Sequence, residues 1–164
     1  MGDGIRVGSV DTMYTMPSQP SFTLFTDGAC LGNPGPGGWA YILQHDGEEI
    51  IDSGGEPNTT NQRMEVTAVL RALESLTSPA MVEIYADSQY VTKGLTEWMD
   101  GWLAKNWKNT AKKPVKNQDL WKRLAQLREV HNITTHWIKG HDGHPENERC
   151  DTIATTEAEK YAQK

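Results

Sequence analysis

Apolar and polar residues alternate with two different periods along this chain, and each change of period predicts a change of element. Runs rich in β-branched and aromatic residues, bounded by Gly, Pro or polar clusters, predict five strands over residues 21–27, 38–46, 48–55, 80–87 and 133–140. Apolar residues spaced three and four apart predict helices over residues 64–76, 88–107 with interruptions at Gly94 and Gly101, 118–130 and 148–162. Three strands followed by an alternation of helices and strands predict an α/β (α+β) domain with a mixed sheet.

Four acidic residues stand at strand ends or on apolar helix faces. Asp27 and Asp87 each end a predicted strand, at the edge where open α/β sheets gather their ligands. Glu65 occupies the apolar stripe of the helix 64–76, and Asp151 lies at the edge of the stripe of the last helix. Each acid taken alone has a simpler interpretation, as a turn cap at a strand end or as a helix side chain that reaches water.

Taken together, four carboxylates from separate elements would repel one another unless a cation neutralises them. Ligation by oxygen alone suits a hard ion, Mg²⁺ or Mn²⁺. Two such ions about 3.5–4 Å apart are the usual apparatus of phosphodiester chemistry. The residues by themselves therefore predict metal-dependent phosphoryl transfer.

The charge of the chain is unevenly distributed. Its 164 residues carry a formal net charge of −6, yet residues 105–123 contain seven basic side chains and one acid. One basic segment on an acidic body indicates nucleic-acid binding more strongly than the net charge argues against it.

Length and termini indicate a single domain. We expect residues 1–20 to form a disordered tail and residues 21–164 to form the domain. No window approaches the ~18 consecutive apolar residues of a membrane span, and residues 1–20 lack the basic start and apolar run of a secretory signal. The two cysteines, Cys30 and Cys150, are read most simply as free thiols in a reducing cytoplasm. We therefore expect a cytoplasmic protein without a membrane partner.

Five segments together resemble ribonuclease H of the bacterial type 1 family. They are TDGACLGNPGPGGWA (26–40), TTNQRMEVTAVLRALE (59–74), YADSQYV (85–91), KPVKNQDLW (113–121) and GHDGHPENERCD (140–151). The resemblance spans roughly residues 22–162. It implies the ribonuclease H-like fold, a five-stranded mixed sheet flanked by helices, in agreement with the predicted elements.

The resemblance also implies roles for individual residues. The family's metal-binding carboxylates fall on the four acids named above, and its mobile-loop histidine falls on His141, which helps to activate water or to release product. The 2′-hydroxyls of the RNA strand would be read by side chains that can donate and accept hydrogen bonds. The matching positions are Cys30, Asn33, Asn61, Gln62 and Gln89. Cys30 also fits a small buried hydrophobe whose backbone makes the contact.

For the DNA strand, the resemblance implies a phosphate pocket at Thr60 and Asn117 and an aromatic channel at Trp98 and Trp102. Many family members carry an Arg two residues before this Thr; here that position is Asn58, so the pocket lacks one cation. Beside the channel, a basic protrusion fits phosphates through its lysines, Lys108, Lys112, Lys113 and Lys116. Trp107 and Trp121 are interpreted as core residues.

These features predict an endonuclease that hydrolyses the RNA strand of RNA–DNA hybrids as a monomer, leaving 5′-phosphate and 3′-hydroxyl ends. The resemblance implies two Mg²⁺ ions, which Mn²⁺ can replace. One, held by Asp27 and Asp151, would activate water, and the other, held by Asp27, Glu65 and Asp87, would steady the leaving 3′ oxygen. One alternative is a DNA strand transferase on the same fold, which would need no 2′-hydroxyl contacts. Another is a catalytically inactive hybrid-binding module, which should have lost at least one of the four acids.

Overall fold

A computed structural model describes residues 19–139 and 144–163 of the chain. Within these ranges the strands are β1 (Ser21–Cys30), β2 (Gly35–His45), β3 (Glu48–Thr59), β4 (Met81–Ala86) and β5 (Asn132–Trp137). The helices are α1 (Asn61–Glu74), α2 (Gln89–Lys93), α3 (Met99–Ala104), α4 (Gln118–Val130) and α5 (Pro145–Ala162), and a π-helical turn, Gly94–Trp98, joins α2 to α3.

The strands form one mixed sheet in the order β3-β2-β1-β4-β5. Strands β1, β2 and β3 are antiparallel neighbours, whereas β4 pairs in parallel with β1 and β5 pairs in parallel with β4. The sheet is therefore five-stranded and mixed, and the predicted fold class is confirmed.

Two apolar layers cover the sheet, and they have different sizes. The larger core lies between the sheet and α1, with α4 packed beyond, and it includes Leu24, Met64 and Trp121. The smaller core lies on the opposite face, where Phe25 and Ile42 meet α5 at Cys150 and Ala154. Successive side chains of a strand point to opposite faces, which is why Leu24 and Phe25 belong to different cores.

Strand pairing extends the predicted strands beyond their local stop signals. The first strand was predicted to stop at Gly28, but β1 continues to Cys30 because its pairing with β2 runs on to Cys30 and Gly37. Likewise β3 runs past the predicted end at residue 55, because Thr59 still pairs with Gly35. In contrast, β5 is shorter than predicted and ends at Trp137.

Helix boundaries also differ from the predictions. Helix α1 begins at Asn61 rather than at residue 64, because the Thr60 hydroxyl caps it by accepting from the Arg63 N–H at 3.2 Å. Helix α5 begins at Pro145 rather than at residue 148. The predicted interruption at Gly94 is a π-helical turn, which keeps the segment helical from Gln89 to Ala104.

The predicted N-terminal tail lies outside the described residues apart from its last two. The Pro20 carbonyl accepts a hydrogen bond from the Met81 N–H at 2.8 Å, and the Gln19 side chain accepts one from Asn132 at 3.2 Å. These two residues are therefore attached to the sheet. No helix in the described ranges combines the length and apolarity needed to cross a bilayer.

Candidate active site

Asp27 and Asp87 lie side by side at the carboxyl end of the parallel strand pair. The last paired residues of β1 and β4 are Thr26 and Ala86, so the two aspartates are the next residues on neighbouring strands. Asp27 is only 7% exposed, whereas Asp87 is half-buried. The parallel register thus brings together two acids that are sixty residues apart in sequence.

Two glycines let helices approach the sheet closely enough to add the other two acids. A Cβ at Gly28 would lie 2.4 Å from the backbone nitrogen of Glu65, so only a glycine permits α1 to pack here. A Cβ at Gly38 would lie 2.1 Å from the Ala154 carbonyl oxygen of α5. Asp151 lies one turn before Ala154 on the same helix.

The environment of Asp27 disfavours its charged form. Burial, followed by the charges of Asp87, Asp151 and Glu65, raises the pKa of Asp27 from 3.8 to about 8, against the opposing hydrogen bond from the Gly28 N–H at 2.8 Å. All three other acids therefore act electrostatically on Asp27, which makes it the centre of the group.

Glu65 is the second strongly perturbed acid, and Ser88 holds it in place. Burial, with a smaller contribution from the charge of Asp87, raises the pKa of Glu65 from 4.5 to about 7. The Ser88 hydroxyl opposes this rise by donating to Glu65 Oε1 at 2.9 Å. Ser88 also caps α2 by accepting from the Val91 N–H. One hydroxyl therefore links the start of α2 to the acid on α1.

The four carboxylates fit a hard divalent cation by their chemistry, because they offer only oxygen ligands. Among the described residues, however, no three Asp, Glu, His or Cys side chains are already close enough to hold an ion. Like charges in a partly buried group repel one another, and this repulsion contributes to the raised pKa of Asp27.

The residues predicted to contact RNA lie around the start of α1 and α2. The Asn33 side-chain oxygen accepts a hydrogen bond from the Asn61 N–H at 3.1 Å, so the loop after β1 meets the first residue of α1. Gln62 and Gln89 are exposed at the starts of α1 and α2.

Cys30 differs from the other predicted RNA contacts, because its thiol is turned inward. It donates to the carbonyl oxygens of Gly35 and Thr59 at 3.4 and 3.3 Å, and burial raises its pKa. Of the two interpretations from sequence, this geometry favours a contact made by the Cys30 backbone.

The residues predicted to form the DNA phosphate pocket also lie close together. Thr60 precedes α1 and Asn117 precedes α4, and Arg63 connects them by hydrogen bonds to both, through its backbone N–H to Thr60 and through Nη1 to Asn117 Oδ1 at 3.3 Å. Asn117 has a left-handed backbone with φ of 58°, which asparagine tolerates better than most residues. Asn58 is exposed on β3.

Aromatic rings form a continuous row beside this pocket. Tyr90, Trp98 and Trp102 follow one another with ring centroids 6.0 Å apart at each step, and Trp102 contacts the buried rings of Trp107 and Trp121. Trp107 is 9% exposed and Trp121 fully buried, which confirms their interpretation as core residues. Trp98 and Trp102 line a cleft of about 410 Å³ together with Lys105 and Lys108.

The basic protrusion is an ordered loop. Lys108 pairs with Pro114, and the Asn109 side chain accepts from the N–H groups of Ala111 and Lys113 at 2.9 and 3.0 Å. Val115 anchors the loop, because it is buried and its N–H donates to the Trp107 carbonyl. The lysines predicted to bind phosphates are all exposed, namely Lys108, Lys112, Lys113 and Lys116.

His141 lies outside the described residues, but the far end of its loop is described. His144 packs on Phe25 and Tyr85, with ring centroids 5.9 and 5.0 Å apart. Asn147 is 5% exposed and its side-chain nitrogen donates to the Tyr85 carbonyl at 3.1 Å. The chain is therefore attached to the sheet directly after this loop.

Sequence reasoning missed several residues that organise the site. Ser88 was detectable, since a serine before an apolar helical run is a capping signal. Asn147 and Tyr90 were not, because their partners are distant in sequence: the Tyr90 hydroxyl accepts from Asn117 Nδ2 at 3.2 Å and from Trp121 Nε1 at 3.1 Å.

Comparison with known proteins decides the family. A family model for RNase H matches residues 19–159. The chain belongs to the ribonuclease H family. It is 55% identical over 140 residues to a ribonuclease H of Paramagnetospirillum magneticum, covering 85% of this chain and 91% of the relative. It is 55% identical over 135 residues to a ribonuclease HI of Caulobacter vibrioides, covering 82% and 91%.

A solved structure of the ribonuclease H family supports the same conclusion. LC9-RNase H1, described as a type 1 RNase H with the type 2 active-site motif, superimposes with a TM-score of 0.78 at 28% identity, over 90% of this chain and 76% of that chain. Ribonucleases H generally use divalent metal ions, and the oxygen-only donor set of the four acids is compatible with such ions.

Proposed function

We propose that this ribonuclease H hydrolyses the RNA strand of RNA–DNA hybrids endonucleolytically, with Asp27, Glu65, Asp87 and Asp151 as its metal ligands. The observation that carries the proposal is the perturbed state of Asp27, whose pKa is raised to about 8 by burial and by the other three acids. A structural role does not explain three acids around the buried carboxyl of Asp27, because such a group destabilises the fold unless a cation neutralises it.

The cations we propose are two Mg²⁺ ions, with Mn²⁺ able to substitute. When bound, they supply the positive charge and Lewis acidity that phosphodiester hydrolysis requires. Asp27 contributes the central ligand, and Ser88 orients Glu65 through its hydroxyl. His141 is proposed to move a proton or to assist product release.

We propose that the enzyme selects the strand to be cut through different contacts to the two strands. Amide side chains contact the RNA strand, and the rings of Trp98 and Trp102 and the lysines of the basic protrusion contact the DNA strand. Asn33 already uses its oxygen to accept from Asn61, so its side-chain N–H groups are oriented away from that contact. A donor of this kind suits a 2′-hydroxyl, which DNA lacks. Gln62 and Gln89 are proposed to act in the same way.

We also propose that the enzyme is a monomer and cytoplasmic. All four acids come from one chain, so the site is complete without a second subunit. Cys30 and Cys150 are both free thiols, which is typical of proteins kept in a reducing compartment.

The proposal is tested by incubating three end-labelled duplexes with the protein, namely an RNA–DNA hybrid, a double-stranded RNA and a double-stranded DNA. Each is assayed with Mg²⁺, with Mn²⁺ and with EDTA. We expect cleavage of the hybrid alone, in the RNA strand, with products that carry a 5′-phosphate. Cleavage of the DNA duplex at a comparable rate would favour the strand-transferase alternative.

The metal-ligand assignment is tested separately with Asp87→Asn, which keeps the shape of the side chain and removes its charge. We expect near-complete loss of cleavage with hybrid binding retained. Asp52→Asn is the matched control, because Asp52 is an exposed aspartate on β3. Activity of Asp87→Asn within about tenfold of the wild type, or about 1.4 kcal/mol in barrier, would contradict the assignment.

A further inference from the structure

The starts of helices α1 and α4 are joined by one charged side chain, Arg63. Its backbone N–H donates to the Thr60 hydroxyl at 3.2 Å, and its Nη1 donates to Asn117 Oδ1 at 3.3 Å. Nη1 and Nη2 also form a two-pronged ion pair with Asp119, at 3.1 and 2.7 Å. Arg63 therefore contacts both residues of the predicted DNA phosphate pocket.

This pocket lacks the cation expected at position 58. Asn58 is exposed and uncharged, so a phosphate at Thr60 and Asn117 would have no guanidinium from that position. The net charge of the protein, −6, makes a nearby cation more important for binding a phosphate. We propose that Arg63 supplies the positive charge of this pocket to a phosphate of the DNA strand, and that Asp119 is its counter-ion in the free enzyme. The proposal rests on the proposed function, because it assigns the pocket to a hybrid substrate.

Each polar group at the pocket keeps a donor that it does not use within the described residues. The Arg63 guanidinium has five N–H groups, of which three donate to Asn117 and Asp119. A second acid, Glu56, lies 4.0 Å from Arg63 Nε, which is an ion-pair distance but too long for a hydrogen bond. The Thr60 hydroxyl accepts from Arg63 and retains its own proton to donate. These unused donors are the groups that a phosphate oxygen requires.

The amide of Asn117 is held in a single orientation. Its oxygen accepts from Arg63, and its nitrogen donates to the Tyr90 hydroxyl at 3.2 Å. The second N–H of the Asn117 amide is therefore available next to the guanidinium. Arg63 and Tyr90 orient a neutral donor, and Arg63 adds the charge.

Asp119 is suited to being displaced. Its side chain is 62% exposed and that of Arg63 is 30% exposed, so water reaches the ion pair and a solvated anion can compete with the carboxylate for the guanidinium. A phosphate carries the same charge as the carboxylate and offers more acceptor oxygens, so the two compete for one guanidinium. The charge of Asp119 consequently lowers the affinity of the pocket.

The competition gives opposite expectations for two variants that break the same ion pair. Arg63→Gln removes the cation and is expected to weaken hybrid binding about tenfold, the loss of one charge-assisted contact. Asp119→Asn releases the cation and is expected to strengthen hybrid binding about two- to fivefold. A purely structural ion pair predicts the same direction for both, since each variant loses the same contact.

Affinity is measured by fluorescence anisotropy of a labelled RNA–DNA hybrid in EDTA, so that cleavage is not needed. Arg63→Gln should also flatten the dependence of log K on log salt by roughly 0.7–0.9. Adding Asn58→Arg to Arg63→Gln should restore affinity, because it places a guanidinium at the position that lacks one. Arg128→Gln is the matched control. Arg128 lies on α4 outside the basic segment, pairs with the exposed Asp100 on α3 and donates to the Leu95 carbonyl. Its replacement is expected to leave hybrid affinity unchanged.

A second arm assigns the contact to one phosphate. In a series of hybrids, one phosphate of the DNA strand at a time is replaced by a neutral methylphosphonate. The wild type is expected to bind one of these hybrids more weakly than the unmodified hybrid, whereas Arg63→Gln is expected to bind that hybrid and the unmodified one equally well. The proposal is overturned if Asp119→Asn binds more weakly than the wild type, or if Arg63→Gln remains sensitive at every position. It is also overturned if Lys116→Gln, rather than Arg63→Gln, removes the sensitivity.

If wild-type protein binds the hybrid but fails to cut it with Mg²⁺, the proposed function fails while these affinity differences still decide the role of Arg63.

Discussion

Replacing Asp27 with Asn is expected to stabilise the ion-free protein while it abolishes hybrid cleavage. Asn keeps the shape of the side chain and an oxygen that can accept a hydrogen bond from the Gly28 N–H. In the wild type this N–H donates to Asp27 Oδ1 at 2.8 Å. The substitution removes the Asp27 carboxyl. The pKa of this carboxyl is raised from 3.8 to about 8 by burial and by the neighbouring acids. The site is thus expected to trade stability for the ability to bind cations.

The pH dependence has a definite sign. In the unfolded chain this carboxyl ionises near its ordinary pKa of 3.8, whereas in the fold it keeps its proton up to about pH 8. A group with a raised pKa stabilises the fold fully below the unfolded value, and this stabilisation is lost as the pH rises through the folded value. Wild-type stability in EDTA should therefore fall between about pH 4 and pH 8 through Asp27, and Glu65 contributes in the same direction, because its pKa is raised to about 7.

The magnitude follows from the difference of about four pKa units. At 1.36 kcal/mol per unit it corresponds to at most about 6 kcal/mol above pH 8. Side chains of the three other acids can turn toward water once Asp27 is charged, so we expect Asp27→Asn to raise the free energy of unfolding by about 2–4 kcal/mol at pH 8. For a chain of this length that is roughly 5–15 °C in Tm. At pH 4 the difference should nearly vanish.

The assay is thermal and urea unfolding in EDTA at pH 4, 6 and 8, with Asp52→Asn as control. Asp52 accepts from the N–H of the next residue at 2.8 Å, as Asp27 does, but its side chain is exposed. The control should change stability by less than about 0.5 kcal/mol at every pH. Added Mg²⁺ should stabilise the wild type more than Asp27→Asn, since only the wild type retains all four acids. A variant no more stable than the wild type at pH 8, or equally stabilised at pH 4 and pH 8, would refute the reasoning.

Three further changes test other parts of the molecule. His141→Ala should lower kcat without abolishing it, because the histidine assists chemistry that the ions carry; loss as complete as in Asp27→Asn would disagree. Gly28→Ala should lower kcat at least about tenfold and cost about 1–3 kcal/mol of stability, because the new Cβ meets the backbone of α1 at 2.4 Å; a wild-type kcat would show that α1 moves freely. Changing the four exposed lysines of the protrusion to Gln should raise KM in a salt-dependent way with kcat nearly unchanged, since phosphate contacts act on ground and transition states alike; an unchanged KM would mean that substrate never reaches Lys108, Lys112, Lys113 and Lys116.

The four acids could be named as candidates from sequence, because three of them break a local pattern and Asp151 lies at the edge of one. Asp27 and Asp87 interrupt apolar strands, and Glu65 stands in an apolar helical stripe. A pattern of this kind depends on residues within a turn or two of one another, so a single sequence contains all of it. The order of strands and helices was predictable for the same reason, and the family resemblance added residue roles that no periodicity could supply.

Element boundaries depended on the rest of the sheet. Gly28 is a local stop signal, yet β1 passes through it because the ladder with β2 supplies hydrogen bonds as far as Cys30. The orientation of the Cys30 thiol toward the Gly35 and Thr59 carbonyls likewise required the path of β3. Pairing between distant segments overrides local propensity wherever it satisfies backbone groups that would otherwise lack partners.

The contacts that organise the site were decided by tertiary structure alone. Arg63 and Asn117 are 54 residues apart, and they meet only because α1 and α4 pack on the same face of the sheet with their starts together. Nothing near Arg63 in sequence distinguishes it from a solvent-exposed helical arginine. Sequence therefore determined which residues are candidates for the chemistry. Packing of helices against the sheet determined which of these candidates lie together, because such contacts depend on distances between elements and not on the period within one.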